Sequence, residues 1–310
     1  MRRHRGRSGI TLIEVLVVVG IVGLLITLVL PAVSGAREAG RRVQCLNNLR
    51  QLGIAVANYA GRSGVMPQGY RGSSIHVMIL PDLEQAVLYN MLNFQAGDQL
   101  LPMALKDNNE TARRVALSVF ICPSDTPRVA GANVSYAGNT GTGFRDGWNG
   151  MFSLTGRPAV YPGSVTDGMS QTVAMTEWLF GPTERAPDER RSVLMTKAWR
   201  SRPEEYDRFV FDCQALDVRT SLGLSVGKGE DWSRGDLGRT LYNHINGING
   251  RTCTNSGNIL QGAWTAGSTH PGGANSLFGD GHVRTMKQTT ATAVWRGLGT
   301  RNGGEPISAE

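Results

Sequence analysis

Aromatic residues make up only 7% of the chain, and histidine occurs five times. The four cysteines, Cys45, Cys122, Cys213 and Cys253, include no C-x-x-C pair, which argues against a zinc cluster or a thioredoxin-type motif. No H-E-x-x-H string and no phosphate-binding glycine motif occurs, so the sequence nominates neither zinc-protease nor nucleotide-hydrolysing chemistry. No internal repeat of solenoid period is present. A dense Lys/Arg stripe interleaved with aromatics is also missing, so no nucleic-acid partner is expected.

What is abundant is glycine, 40 of 310 residues, about twice the usual 7% share. Without a Gly-x-y period this predicts many tight turns and long loops. The net charge is +7, but Arg2, Arg3, Arg5 and Arg7 stand before Gly9, and without them the balance falls to +3. If the chain is exported, its four thiols could pair in three ways. We favour Cys45 with Cys122 and Cys213 with Cys253; four buried free thiols is the alternative.

Ile10 to Leu30 is an apolar run of 21 residues broken by one charge, Glu14. At about 1.5 Å per residue a helix of that length crosses a hydrocarbon core of about 30 Å. It exceeds the 7–15 apolar residues of an ordinary secretory signal, and such a signal would not carry an acid. A plain anchor explains the length but not Glu14. The remaining reading removes the arginine-rich stub after Gly9 and keeps the helix.

"GITLIE", Gly9 to Glu14, followed by an apolar helix and Pro31, resembles the type IV prepilin signature. The resemblance implies that a prepilin peptidase cuts after Gly9 and methylates Ile10. It also implies a helix weakened at Gly23 and bent at Pro31. An isolated acid in a membrane helix costs a few kcal/mol and is usually paired. Cleavage would create a charged amine about one helical turn before Glu14, so the carboxylate of one subunit could neutralise the amine of a neighbour and set its register. Snorkelling of Glu14 to the interface is the competing explanation. Arg37, Arg41 and Arg42 follow the span, so the positive-inside bias is slight; the resemblance places the stub in the cytoplasm.

Val43, Leu46, Leu49, Leu52 or Gly53, Val56 and Tyr59 recur at helical steps, with Arg41, Arg42, Asn47, Asn48 and Arg50 on the intervening faces. The helix is expected to end near Gly61 to Gly64. A second helix is expected over Ile79–Leu92, starting near Pro81 or Asp82, with Leu83, Val87, Leu88 and Met91 as its apolar face. A short helix from about Glu110 and an extended run into Cys122 follow. "NVSYAGN", "GMFSL" and "QTVAMTEWLF" read as strands between glycines, with Asp167-Gly168 turning into the last. Residues 185–205 are highly charged and read as an exposed insertion.

Within "STHPGGANSLFGDGHVRTM", Asp280-Gly281 marks a hairpin turn between "NSLF" and "HVRTM". His270, nine intervening residues, then Asp280 and Gly281 resemble the carboxy-terminal signature of a large bacterial prepilin-like family long labelled a domain of unknown function. "CLNNLRQLGIAVANY", "LPDLEQAVLY", "CPSD" and "DGMSQT" fit the same family, although His282 stands where a small residue is usual. His270, Asp280 and His282 could in principle bind a transition metal, but strand alternation would send them to different faces. Hydrogen-bonded structural roles at a turn are the expectation, with no metal and no cofactor. Calcium, as in the major pseudopilins of type II secretion, is the alternative, although oxygen ligands are sparse.

The expected architecture is α+β and pilin-like: a long amino-terminal transmembrane and amphipathic helix packed on an extracytoplasmic domain with an antiparallel sheet. Its expected divisions are a leader at 1–9, a membrane and assembly helix at 10–30, an amphipathic continuation at 31–62, a globular domain at 63–290 and a tail at 291–310. The expected function is a non-enzymatic pilin-like or pseudopilin subunit, held by one pass in the inner membrane, with prepilin peptidase and other pilin or pseudopilin subunits as partners. It would build a surface filament or a type II secretion pseudopilus. The alternative is a membrane-tethered binding protein that uses the leader only for export.

Overall fold

The computed structural model describes residues 11–69, 72–94, 109–125, 133–144, 148–153, 157–181, 189–200, 202–218, 221 and 228–305. Two units divide the chain, one up to Val43 and one from Gln44 onward. Helix α1, Leu12–Ser63, continues through Pro31 and is the one described helix long and apolar enough to cross a membrane. Thr11 and Glu14 begin it. The Glu14 carboxylate accepts the Thr11 N–H at 2.8 Å and the Glu14 N–H donates back to the Thr11 hydroxyl at 3.4 Å, the reciprocal arrangement of a capping box. Gly64, at φ +74°, closes it by donating to the Ala60 carbonyl at 2.8 Å.

In the first unit the apolar side chains from Leu12 to Val33 are exposed. No water-soluble fold leaves so large an apolar surface bare; it calls for lipid or protein around it. In the second unit the rest of α1 is amphipathic in fact. Cys45, Asn48, Leu49, Leu52, Gly53, Ala55 and Val56 are buried, at steps of three and four. Asn48, expected on an outer face, is inside instead. Its amide donates to the Ile121 carbonyl at 3.0 Å and the Tyr136 hydroxyl at 3.3 Å, which satisfies its burial. Val43, expected on the apolar face, is exposed.

Beyond α1 come α2 (Ile75–Met78), α3 (Ala86–Met91), α4 (Glu110–Arg113), β1 (Tyr136–Asn139), β2 (Val173–Glu177) and β3 (Val193–Met195). Then follow α5 (Tyr206–Gln214), β4 (Leu241–Tyr242), β5 (Thr252–Asn255), β6 (Asn258–Ala263), β7 (Gly273–Phe278), β8 (Val283–Lys287) and α6 (Thr292–Gly297). The larger sheet has the order β4-β1-β2-β7-β8, antiparallel except for the parallel β1–β4 pair. The smaller, β3-β5-β6, joins β3 parallel to β5 and β5 antiparallel to β6. The architecture is therefore α+β with largely antiparallel sheets.

Four local expectations need correction. Ile79–Leu92 is not one helix: a 3-10 turn at Leu80–Leu83 ends at Glu84, whose φ of 61° is left-handed, and α3 restarts at Ala86. The restart rotates the face, leaving Val87 and Met91 exposed while Leu88 is buried. "GMFSL" is buried over residues 150–153 but forms no strand there; Phe152 donates its N–H to the Asn139 carbonyl beside β1. The charged stretch 185–205 is not simply an exposed insertion, because Val193 and Leu194 of β3 are buried against β5. Residues 291–305 are not a tail either: α6 buries Trp295 completely, and its indole donates to the Asn246 carbonyl at 3.0 Å.

Candidate functional site

The described sequence candidates fall into three places. Glu14, Gly23 and Pro31 lie on α1, and a Cβ on Gly23 would meet nothing within 4 Å. Gly9 and Ile10 lie outside the described residues. His270 is buried, and Asp280, Gly281 and His282 form the exposed loop between β7 and β8.

That loop is the expected hairpin turn. Phe278 donates to the His282 carbonyl at 2.9 Å, Gly281 donates back to the Phe278 carbonyl at 3.0 Å, and Gly281 sits at φ +92°. One carboxylate oxygen of Asp280 takes the His282 ring Nδ1 at 2.6 Å and the His282 N–H at 3.1 Å. The His282 ring stacks on Phe278 at 4.3 Å. His270 is not part of this group, so His270, Asp280 and His282 do not converge on one ion.

Helix α1 meets the same hairpin at Gly53. A Cβ there would stand 2.7 Å from Leu277 Cδ1 and 3.7 Å from the Gly281 Cα, so helix and turn approach as closely as a missing side chain permits. Gly53→Val should therefore cost about 1–3 kcal/mol by overpacking. Gly61→Ala, where an added Cβ meets nothing, should gain about 0.5–1 kcal/mol. Denaturant midpoints of the two variants would check this, and equal shifts in one direction would contradict the close approach.

His270 lies at the second anchorage of α1. Both favoured cysteine pairs are disulfides, Cys45–Cys122 and Cys213–Cys253. His270 Nε2 stands 3.4 Å from Cys122 Sγ and 3.8 Å from a Glu177 carboxylate oxygen. Glu177, at the end of β2, accepts the Asn275 N–H at 3.0 Å and its side-chain amide at 2.8 Å. Burial pushes the Glu177 carboxyl up from its ordinary range, against those hydrogen bonds and the nearby imidazole. The four groups Cys45, Cys122, Glu177 and His270 offer ligand-type atoms all within 4.8 Å of one another. As a disulfide the two sulfurs are poor ligands, and in this state the cluster fastens α1 to the sheet.

Sequence reading missed Glu177, whose only signal is an acid ending an apolar run, "VAMTE". It also passed over Lys228, fully buried, with Nζ donating to Thr252 Oγ1 at 3.1 Å and the Thr265 carbonyl at 2.9 Å. Residues 223–227, "GLSVG", spell the bare G-x-S-x-G string of a nucleophile turn and lie outside the described residues. The described residues beside them, Ser221 and Lys228–Glu230, form no helix, so the strand–turn–helix setting of that motif is not seen among them.

Comparison with known proteins gives two family matches. Residues 34–293 match the model of a family described as Protein of unknown function (DUF1559), and residues 4–30 match the Prokaryotic N-terminal methylation motif. No curated protein and no solved structure matches the chain.

Proposed function

The chain belongs to the family described as Protein of unknown function (DUF1559), and from that premise we propose a non-enzymatic structural subunit, cleaved after Gly9 and assembled through α1 into a filament or pseudopilus. The methylation motif over residues 4–30 carries this reading: it marks a type IV pilin-like chain with a prepilin-type leader. The exposed apolar length of α1 supports membrane anchoring with the carboxy-terminal domain outside. We place the anchor in the inner membrane, with prepilin peptidase acting on the leader and like subunits as assembly partners.

Glu14 is the residue whose role this reading sharpens. Within one chain its carboxylate is held by Thr11. In assembly the same carboxylate would meet the new amine of Ile10 on a neighbouring subunit, a charge pair in low dielectric. Capping and charge pairing make different demands: glutamine also completes a capping box but carries no charge.

Glu14→Gln should therefore leave processing and membrane insertion intact while abolishing polymer, judged by sheared-filament yield and cross-linking of adjacent α1 helices. Mass spectrometry of the mature protein should find methylated Ile10 at its start. A Glu14→Gln chain that polymerises normally would reduce Glu14 to a cap. A mature chain that still carries residues 1–9 would overturn the whole assignment.

A further inference from the structure

The two disulfides have different surroundings. Cys213 and Cys253 sit in an apolar cluster with Phe144, Leu194, Phe209, Ile245 and Ala263. Cys45 and Cys122 also lie in an apolar core, with Leu49, Leu52 and Phe120, but an imidazole and a carboxylate stand beside them. A disulfide needs neither group, and burying a carboxylate is costly unless something compensates it. The sheet nevertheless holds Glu177 in place through Asn275, and the His270 imidazole points its Nε2 at the same spot.

The spacing fits a metal. Zinc bonds of about 2.3 Å to sulfur and about 2.0 Å to nitrogen or oxygen, at tetrahedral angles, put a nitrogen and an oxygen roughly 3.3 Å apart, a sulfur and a nitrogen roughly 3.5 Å and two sulfurs roughly 3.8 Å. The His270–Cys122 separation of 3.4 Å already has the sulfur–nitrogen spacing, and the His270–Glu177 separation of 3.8 Å would close by about 0.5 Å around the ion. The four ligand atoms all lie within 4.8 Å of one another, and the two sulfurs, bonded to each other, would have to part. Breaking that bond and moving each sulfur back by about 1 Å would complete a four-ligand shell.

We propose that the reduced chain binds one zinc-class divalent cation through Cys45, Cys122, Glu177 and His270, and that oxidation of the two cysteines expels it. The chemistry balances. In the metal-bound state two thiolates, one carboxylate and a neutral imidazole surround the dication. A disulfide oxidant takes one electron from each thiolate: the Cys45–Cys122 bond forms, the oxidant's S–S bond breaks, two oxidant thiolates leave and the dication is released. The reverse needs a dithiol or phosphine reductant to supply the two electrons. The cation would fasten α1 to the sheet before the covalent bond does, since its ligands come from α1, the segment after α4, β2 and the loop before β7. The Asn275 contacts serve as the outer support that holds a ligating carboxylate in position.

The test uses the full chain in detergent, reduced by a phosphine, freed of reductant without oxygen, and titrated with Co2+ and then Zn2+. The expected result is one Co2+ per reduced chain with the intense visible bands of a tetrahedral thiolate site, displaced by Zn2+, and no binding by the oxidised chain. A Cys213→Ser/Cys253→Ser variant should bind equally well. His270→Gln and Glu177→Gln should each weaken binding by at least about 10-fold, the lower end of what losing even an outer support costs. Circular dichroism of the reduced chain with and without metal reads folding separately. The proposal fails if the reduced chain binds no stoichiometric Co2+, if the bands are the weak ones of an octahedral ion, or if binding needs Cys213 and Cys253. It fails equally if binding ignores both His270→Gln and Glu177→Gln, since that metal would be held by thiols alone.

Discussion

Acidification from pH 7 to pH 4 should remove about 6 kcal/mol of stability through His76 and His244 alone. Both rings are fully buried and neutral. His76 donates Nε2–H to the Tyr136 carbonyl at 2.9 Å, and its Nδ1 has no hydrogen-bond partner. His244 donates Nδ1–H to the Trp295 carbonyl at 2.7 Å, accepts the Tyr242 hydroxyl at 2.6 Å and stacks on Trp295 at 3.9 Å. Burial lowers His76 to about 4 and His244 to about 3, from an ordinary 6.5. Because the folded values are depressed, the stability is fully present above pH 6.5. It is lost as pH falls, when the unfolded chain takes protons that the fold refuses. By pH 4 each ring has given up about 3 kcal/mol.

Buried carboxyls work in the opposite direction. Burial raises Asp125, Glu177 and Asp236, so these groups favour the fold at low pH and cost stability as pH rises through their folded values. The histidine effect is therefore read by difference. Urea unfolding of the wild type, His76→Leu and His244→Gln across pH 7 to 4 should show each variant losing about 3 kcal/mol of the wild type's pH dependence. Parallel pH curves for wild type and variants would refute the buried neutral rings.

The second large effect is expected at the Cys45–Cys122 bond, which closes a separation of 77 residues. Chain entropy assigns such a loop about 4.5 kcal/mol, and the Cys213–Cys253 separation of 40 residues about 4 kcal/mol. A Cys45→Ser/Cys122→Ser variant should lower the unfolding free energy by about that amount, a large part of the 5–15 kcal/mol typical of whole proteins. The alternative is that packing of Leu49, Leu52 and Val56 already seats this part of α1. In that case the loss would stay under about 1 kcal/mol, and equilibrium denaturation decides between the two.

What the sequence disclosed follows from how local each requirement is. Lipid demands an unbroken apolar helix, so Leu12 to Leu30 could be read residue by residue, whereas the cap that Thr11 and Glu14 form was not read. Asp280-Gly281 announced its hairpin because the turn conformation is a property of those two residues. Asn48 misled because its partners lie more than 70 positions away, near Ile121 and Tyr136. β3 was hidden among charges such as Arg190, Arg191 and Lys197, whose long stems leave a short buried strand between them. The restart after Glu84 depends on one left-handed residue, and periodicity does not register it. The meeting of Glu177 with His270 joins residues 93 positions apart through neighbouring strands β2 and β7, beyond the reach of any spacing rule.

The seat of α1 is also a matter of timing. Leu49, Leu52 and Gly53 are made early, whereas Leu277 and Gly281, against which Gly53 lies, come more than 220 residues later. At synthesis rates of about 5–20 residues per second, that apolar stripe waits roughly 10–45 s for its cover. Throughout that interval it is a sticky, half-finished surface. The cell must shelter it or risk aggregation, and shortening the chain from its far end would take away the cover at Gly53.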